Sequence, residues 1–88
     1  MPDSKITVFY FARLRESLGK ASEELAVPAG VHDLDGLRAF LVRRGGAWAS
    51  ELAGTRPVRA AINQDMADGE SPIKDGDEIA FFPPVTGG

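Results

Sequence analysis

Eighty-eight residues with a net charge of −3, no cysteine and a single histidine make one small domain whose core is thin, since a chain of this size buries only about 60–65% of the surface it exposes when unfolded. The missing thiol excludes disulfides, cysteine–zinc and iron–sulfur sites and a cysteine nucleophile, and the acidic balance leaves no basic footprint for nucleic acid. At 43% hydrophobic and 26% charged the chain is too apolar for disorder; it has no apolar run near 18 residues and no signal-peptide layout, so a cytoplasmic protein without a membrane partner is expected.

The first element is a strand, "KITVFYF" at 5–11, rich in β-branched and aromatic residues. Alternation sets Ile6, Val8 and Tyr10 on one face and Thr7, Phe9 and Phe11 on the other. "ARLRESLGK" breaks that pattern as a short helical turn stopped at Gly19, and "SEELAV" (22–27) is a second strand pairing back on the first. A helix begins near Asp33, which suits the N-cap, with Asp35 in the positive first turn. Leu34, Leu37, Phe40 and Leu41 share one face of it. Arg43 and Arg44 are expected in its last turn and Gly45 at its left-handed stop.

"AWASELA" (47–53) is a second short helix or turn, with Trp48 at the core edge. "PVRAAIN" (57–63) alternates Val58, Ala60 and Ile62 against Arg59, Ala61 and Asn63 as a further strand. A short extended piece surrounds Met66, turns follow at 68–69 and 74–78, and the last strand is "EIAFF" at 78–82. One main helix packed across a mixed sheet buries these stripes economically. The fold expected is therefore α+β, a β-grasp of the ubiquitin-like type. It places the domain at 1–82 and a projecting tail at 83–88.

No conventional catalytic constellation is present. Asp75 and Asp77 lack the rest of a calcium loop's ligand ladder and read as solvated acids flanking a turn. His32 stands alone, and no serine has a base near it in sequence. The ending "FFPPVTGG" is different. Pro83 and Pro84 carry no N–H, so the strand ladder stops at Phe82, and paired prolines favour a stiff extended path off the body. Val85, Thr86, Gly87 and Gly88 follow, and the six residues after Phe82 reach up to about 20 Å. Gly87 and Gly88 have no side chains and can thread a narrow channel. The reactive group of such a tip is the carboxylate of Gly88, a poor acyl donor until adenylated. That step needs a separate ATP-using enzyme, because this chain has no phosphate-binding loop. Plain terminal disorder is the competing reading of the tail. Against it stands the expected exposed patch at its root, formed by Phe11, Met66 and Phe82 on the outward face.

"DGDEIAFFPPVTGG" (75–88), with "FYFARLRESLG" (9–19) and "AAINQ" (60–64), resembles the small, sulfur-carrying subunits of molybdopterin synthase over essentially the whole chain. The resemblance implies a ubiquitin-like fold and a non-catalytic sulfur-donor subunit with no active site of its own. It implies that an E1-like enzyme adenylates Gly88 with ATP, that a sulfurtransferase system makes it a thiocarboxylate, and that the chain binds no cofactor or metal itself. The tail then enters the large catalytic subunit, which uses two such sulfurs to turn cyclic pyranopterin monophosphate into molybdopterin, usually in a heterotetramer. Gly88 is the sulfur-bearing position, Gly87 aids its passage, and Phe11, Met66 and Phe82 match the contacts to the large subunit. The acids Asp65, Asp68, Glu70, Asp75, Asp77 and Glu78 form either a steering patch or a solvated face. A carrier for thiazole synthesis or tRNA thiolation, a ubiquitin-like protein modifier and a passive interaction domain are the alternatives.

Overall fold

The computed structural model describes residues 4–53 and 57–84. In chain order the elements are β1 (Ser4–Tyr10), α1 (Arg13–Leu18), β2 (Ser22–Val27), α2 (Leu34–Val42), α3 (Gly46–Leu52), β3 (Arg59–Ile62), β4 (Asp65–Ala67) and β5 (Glu78–Phe82). They form a five-stranded sheet ordered β2-β1-β5-β3-β4. β1 and β5 run parallel, with Val8 opposite Ile79 and Tyr10 opposite Phe81. All other pairings are antiparallel. First and last strands side by side within a mixed sheet, with helices packed across it, are the β-grasp arrangement. No helix of the described residues is long and apolar enough to cross a membrane.

One face of the sheet makes the core. Ile6, Val8 and Tyr10 of β1, Leu25 and Val27 of β2, and Ile79 and Phe81 of β5 are all buried. They meet Leu34, Leu37 and Leu41 of α2, Leu14 of α1 and Leu52 of α3 in one cluster. Each such side chain contributes about 1.5–3 kcal/mol of transfer free energy when fully buried, and a domain this small has few of them. Leu37 and Leu41 lie one helical turn apart and are fully buried, as the spacing predicts.

Local chemistry sets the ends of α2. Asp33 is extended at φ −143°, and its Oδ1 accepts from the Gly36 N–H at 2.8 Å, the expected N-cap. The next two N–H groups are also taken: Leu34 donates to the Ser71 carbonyl (3.2 Å) and Asp35 to that of Gly69 (2.9 Å). The 68–71 turn therefore closes the helix N-terminus. A Cβ at Gly69 would fall on the Asp35 carboxylate, which would have to swing aside. At the other end the expectation needs correction: α2 stops at Val42, so Arg43 and Arg44 lie beyond its last turn. The chain turns over Arg44, and the left-handed Gly45 (φ 75°) serves as the entry to α3 rather than as the simple stop of α2.

The turn at 74–77 also departs from expectation. Asp77 is not a solvated acid but only 4% exposed. Its Oδ2 accepts from the Lys74 N–H and its Oδ1 from Asn63 Nδ2, each at 2.9 Å. Its carbonyl takes the Thr7 N–H. Burying a carboxylate is expensive unless such donors replace water, and here they join β1, the end of β3 and the entry to β5. Asp75 accepts from the Lys5 N–H at 2.7 Å.

Candidate docking face and tail root

The outward face of the sheet is built by register. Pairing runs from Phe9 to Ala80, from Ala80 to Ala61 and from Ala61 to Met66, so these four side chains form one row across β1, β5, β3 and β4. Directly opposed residues point to the same side of a sheet. The adjoining row holds Phe82 and its partner Arg59. Phe11 joins it from the end of β1, where its N–H donates to the Phe81 carbonyl at 3.2 Å and extends the parallel ladder by one step.

Phe11 and Met66, residues far apart in the chain, are thus placed on one face with Phe82 between their strands. Phe11 is 47% exposed and Met66 62%, the large exposed apolar side chains among the described residues. Phe82 differs from the expectation of an exposed residue: it is half-buried, since it sits in the middle of its row between Phe11 and Arg59. Phe9, Ala61 and Ala80 also belong to this face. Alternation sets Phe9 and Ala80 outward and Ala61 on the side of Arg59; strand pairing joins them into one row with Met66.

Ala12 is the pivot at the edge of the face. Its backbone adopts φ 54°, ψ −127°, a region that glycine prefers. The Leu14 N–H closes the turn onto the Phe11 carbonyl at 3.1 Å. Across this turn Phe11 stays outside while Leu14 is fully buried.

The tail root lies at the end of β5. Pro83 and Pro84 are half-buried, so the two prolines do not lift the chain off the body at once as expected. Pro84 borders an open cleft of about 470 Å³ beside β3 and β4, lined by Leu34, Val58, Ala60 and Phe81 and also by Arg59 and Met66. Val85, Thr86, Gly87 and Gly88 lie outside the described residues.

The remaining polar clusters serve the fold. Tyr10 donates its hydroxyl to Glu23 Oε2 at 2.8 Å, and Arg44 grips both oxygens of the same carboxylate at 2.8 and 3.2 Å. The Arg44 guanidinium lies 4.4 Å from the centre of the Trp48 ring, and Trp48 meets Tyr10 edge to face at 5.3 Å. Burial, then the bond to Glu23, pushes Tyr10 ionisation far above its ordinary value, so the hydroxyl stays a donor. Burial pushes the Glu23 carboxyl up, but its hydrogen bonds from Arg44 and Tyr10 outweigh this and hold it below the ordinary value. A second buried acid, Glu51, accepts from Arg13 Nε (3.0 Å) and Ser17 Oγ (2.9 Å), tying α3 to α1. Of the acidic cluster near the tail, Asp68 organises the turn to Ser71, and Asp75 and Asp77 hold the 74–77 turn. Asp68 acts within its own turn, whereas Asp75 reaches Lys5 and Asp77 reaches Asn63. No group of three or more histidine or acidic residues among the described residues is placed to hold a metal ion.

The family model of the ThiS family matches residues 8–88. The molybdopterin synthase sulfur carrier subunit of Escherichia coli (strain K12) is 40% identical over 83 residues, spanning 94% of this chain and 99% of that one. Among solved structures, a Pyrococcus furiosus protein superposes with a TM-score of 0.78 at 28% identity, covering 94% of this chain and all of the other. A chain in the complex of subunits 1 and 2 of molybdopterin-converting factor from Helicobacter pylori 26695 gives 0.66 at 27% identity, covering 96% and 99%. The order of strands, the parallel β1–β5 pair and the near full-length similarity lead to one statement: this chain belongs to the ThiS family.

Proposed function

We propose that this protein is the sulfur carrier of molybdopterin synthase in molybdenum cofactor biosynthesis, a donor subunit rather than a catalyst. The observation that carries the reading is the apolar outward face, with Phe11 at the end of β1, Met66 on β4 and Phe82 on β5, the strand that leads into the Gly87–Gly88 tail. The Escherichia coli relative is a sulfur carrier subunit, and a structural neighbour comes from a complex of subunits 1 and 2 of molybdopterin-converting factor; both support a large-subunit partner. In that role the sheet docks on the large subunit and the tail, Pro83 to Gly88, is delivered into its active site.

The chemistry belongs to Gly88. An E1-like enzyme joins its carboxylate to the AMP portion of ATP and releases pyrophosphate. The persulfide sulfur of a sulfurtransferase then displaces AMP, and a thiol reductant cleaves the resulting acyl disulfide to leave a thiocarboxylate. Within the synthase that sulfur passes to cyclic pyranopterin monophosphate, and a second loaded chain supplies the other sulfur of the dithiolene. Gly87 and Gly88 suit passage through a narrow channel because neither has a Cβ.

The test is the intact mass of the chain after incubation with ATP, the activating enzyme and a sulfur source. One oxygen replaced by sulfur, mapped to the terminal peptide, is expected, and removal of Gly88 is expected to abolish transfer while leaving the thermal midpoint unchanged. A ladder of lysine conjugates without any thiocarboxylate would overturn the carrier reading in favour of a protein modifier. A large loss of stability on removing Gly88 would also count against it, as a sign that the tail is structural.

A further inference from the structure

We propose that Met66 is a redox-sensitive modification site whose oxidation to the sulfoxide disables docking through the outward face. The inference rests on the docking role argued above.

Three observations carry it. Met66 is 62% exposed, more than any other large apolar residue described. It sits on a three-residue strand at the sheet edge, and its row neighbour is Ala61, so no bulky side chain opposite it shields the thioether. The chain has no cysteine to compete for oxidant, and its only other methionine is Met1. The core cluster contains no methionine. Oxidation is therefore directed to the docking face and spares the packing that holds the fold.

The step needs only a peroxide. The Met66 sulfur attacks one peroxide oxygen, the S–O bond forms as the O–O bond breaks, and hydrogen peroxide leaves as water. Sulfur gives up two electrons and the peroxide accepts them. The product is a polar, chiral sulfoxide, which methionine sulfoxide reductases can reverse. Ala61 directly opposite carries no side-chain donor, although Arg59 lines the same cleft; docking of an apolar surface would strip water from the new acceptor. A penalty of that kind weakens binding by about tenfold or more.

The test uses the unloaded carboxylate form, so that no carried sulfur reacts, and its cognate large subunit, with affinity read by calorimetry. Peptide mapping is essential, because adding oxygen to Met66 and exchanging oxygen for sulfur at Gly88 change the mass almost equally. After dilute hydrogen peroxide the chain is expected to bind about tenfold more weakly at an unchanged thermal midpoint, and a methionine sulfoxide reductase is expected to restore binding. Met66→Leu, whatever its own affinity, should bind equally well before and after peroxide, while Met66→Gln should mimic the oxidised chain. Undiminished binding by the oxidised protein, or an equal loss in peroxide-treated Met66→Leu, would overturn the inference. If Phe82→Ala and Met66→Gln both bind like the unaltered chain, the docking reading itself fails, and this inference with it.

Discussion

Phe81 and Phe82 are neighbours in one strand and have opposite employment. Phe81 is 2% exposed and stacks beside Tyr10 with ring centres 6.4 Å apart. Phe82 is half-buried on the other side, in the row of Phe11 and Arg59. The same contrast runs through the whole sheet. One face is closed by three helices into a cluster of aliphatic and aromatic residues; the other carries Phe9, Phe11, Phe82 and Met66, and none of the described helices contributes to that row. A strand alternates its side chains, so a single aromatic run supplies core packing on one face and apolar side chains on the other.

The largest expected effect separates these two faces. Phe81→Ala should lose about 3–5 kcal/mol of stability in denaturant titration, the range for emptying a buried aromatic site. Phe82→Ala should lose less than about 1 kcal/mol of stability yet weaken binding to the large subunit by more than about 1 kcal/mol, as an interface anchor does. Equal stability losses would erase the distinction between the faces.

Polar groups sharpen the comparison on a smaller scale. Asp77→Ala should cost about 2 kcal/mol, since it leaves the Lys74 N–H and the Asn63 amide without their acceptor. A loss near zero would mean the turn is held by backbone bonds alone. Glu23→Gln should cost about 1.5 kcal/mol near neutral pH by weakening charge-assisted bonds, and this loss should depend on pH. The folded carboxyl lies below its ordinary value, so its contribution is present above the unfolded value of about 4.3 and disappears as pH falls through the lower, folded value. The stability curves of the two proteins should therefore converge in acid; a constant gap would assign the loss to packing.

The smallest effect is a gain. Ala12→Gly should raise stability by up to about 1 kcal/mol, because relief of a strained positive φ exceeds the added freedom of glycine in the unfolded chain. Thermal melts check the sign. A loss would show that the Ala12 methyl group makes a contact that matters to the turn.

Much of this was legible in the residues themselves. Period-two alternation in "KITVFYF" and "EIAFF" assigned the core and outward sides of both central strands, because side-chain direction follows from backbone geometry alone. Asp33 marked the start of α2 through a local hydrogen bond. The sequence also carried the chemistry of the terminus: prolines that cannot extend a ladder, then two glycines. Those properties belong to single residues or to near neighbours.

Tertiary structure decided what depends on partners distant in the chain. Only strand pairing puts Met66 in a row with Ala61, Ala80 and Phe9, since register is set by how strands join across the sheet. The fold also turned Asp77 from an apparent surface acid into a buried staple, because its donors come from Lys74 and from Asn63. It ended α2 at Val42 and set the Arg44 side chain against Glu23 and Trp48. The outward aromatics were written in the sequence; their assembly into one face, and the shading of Phe82 within it, came from packing between strands.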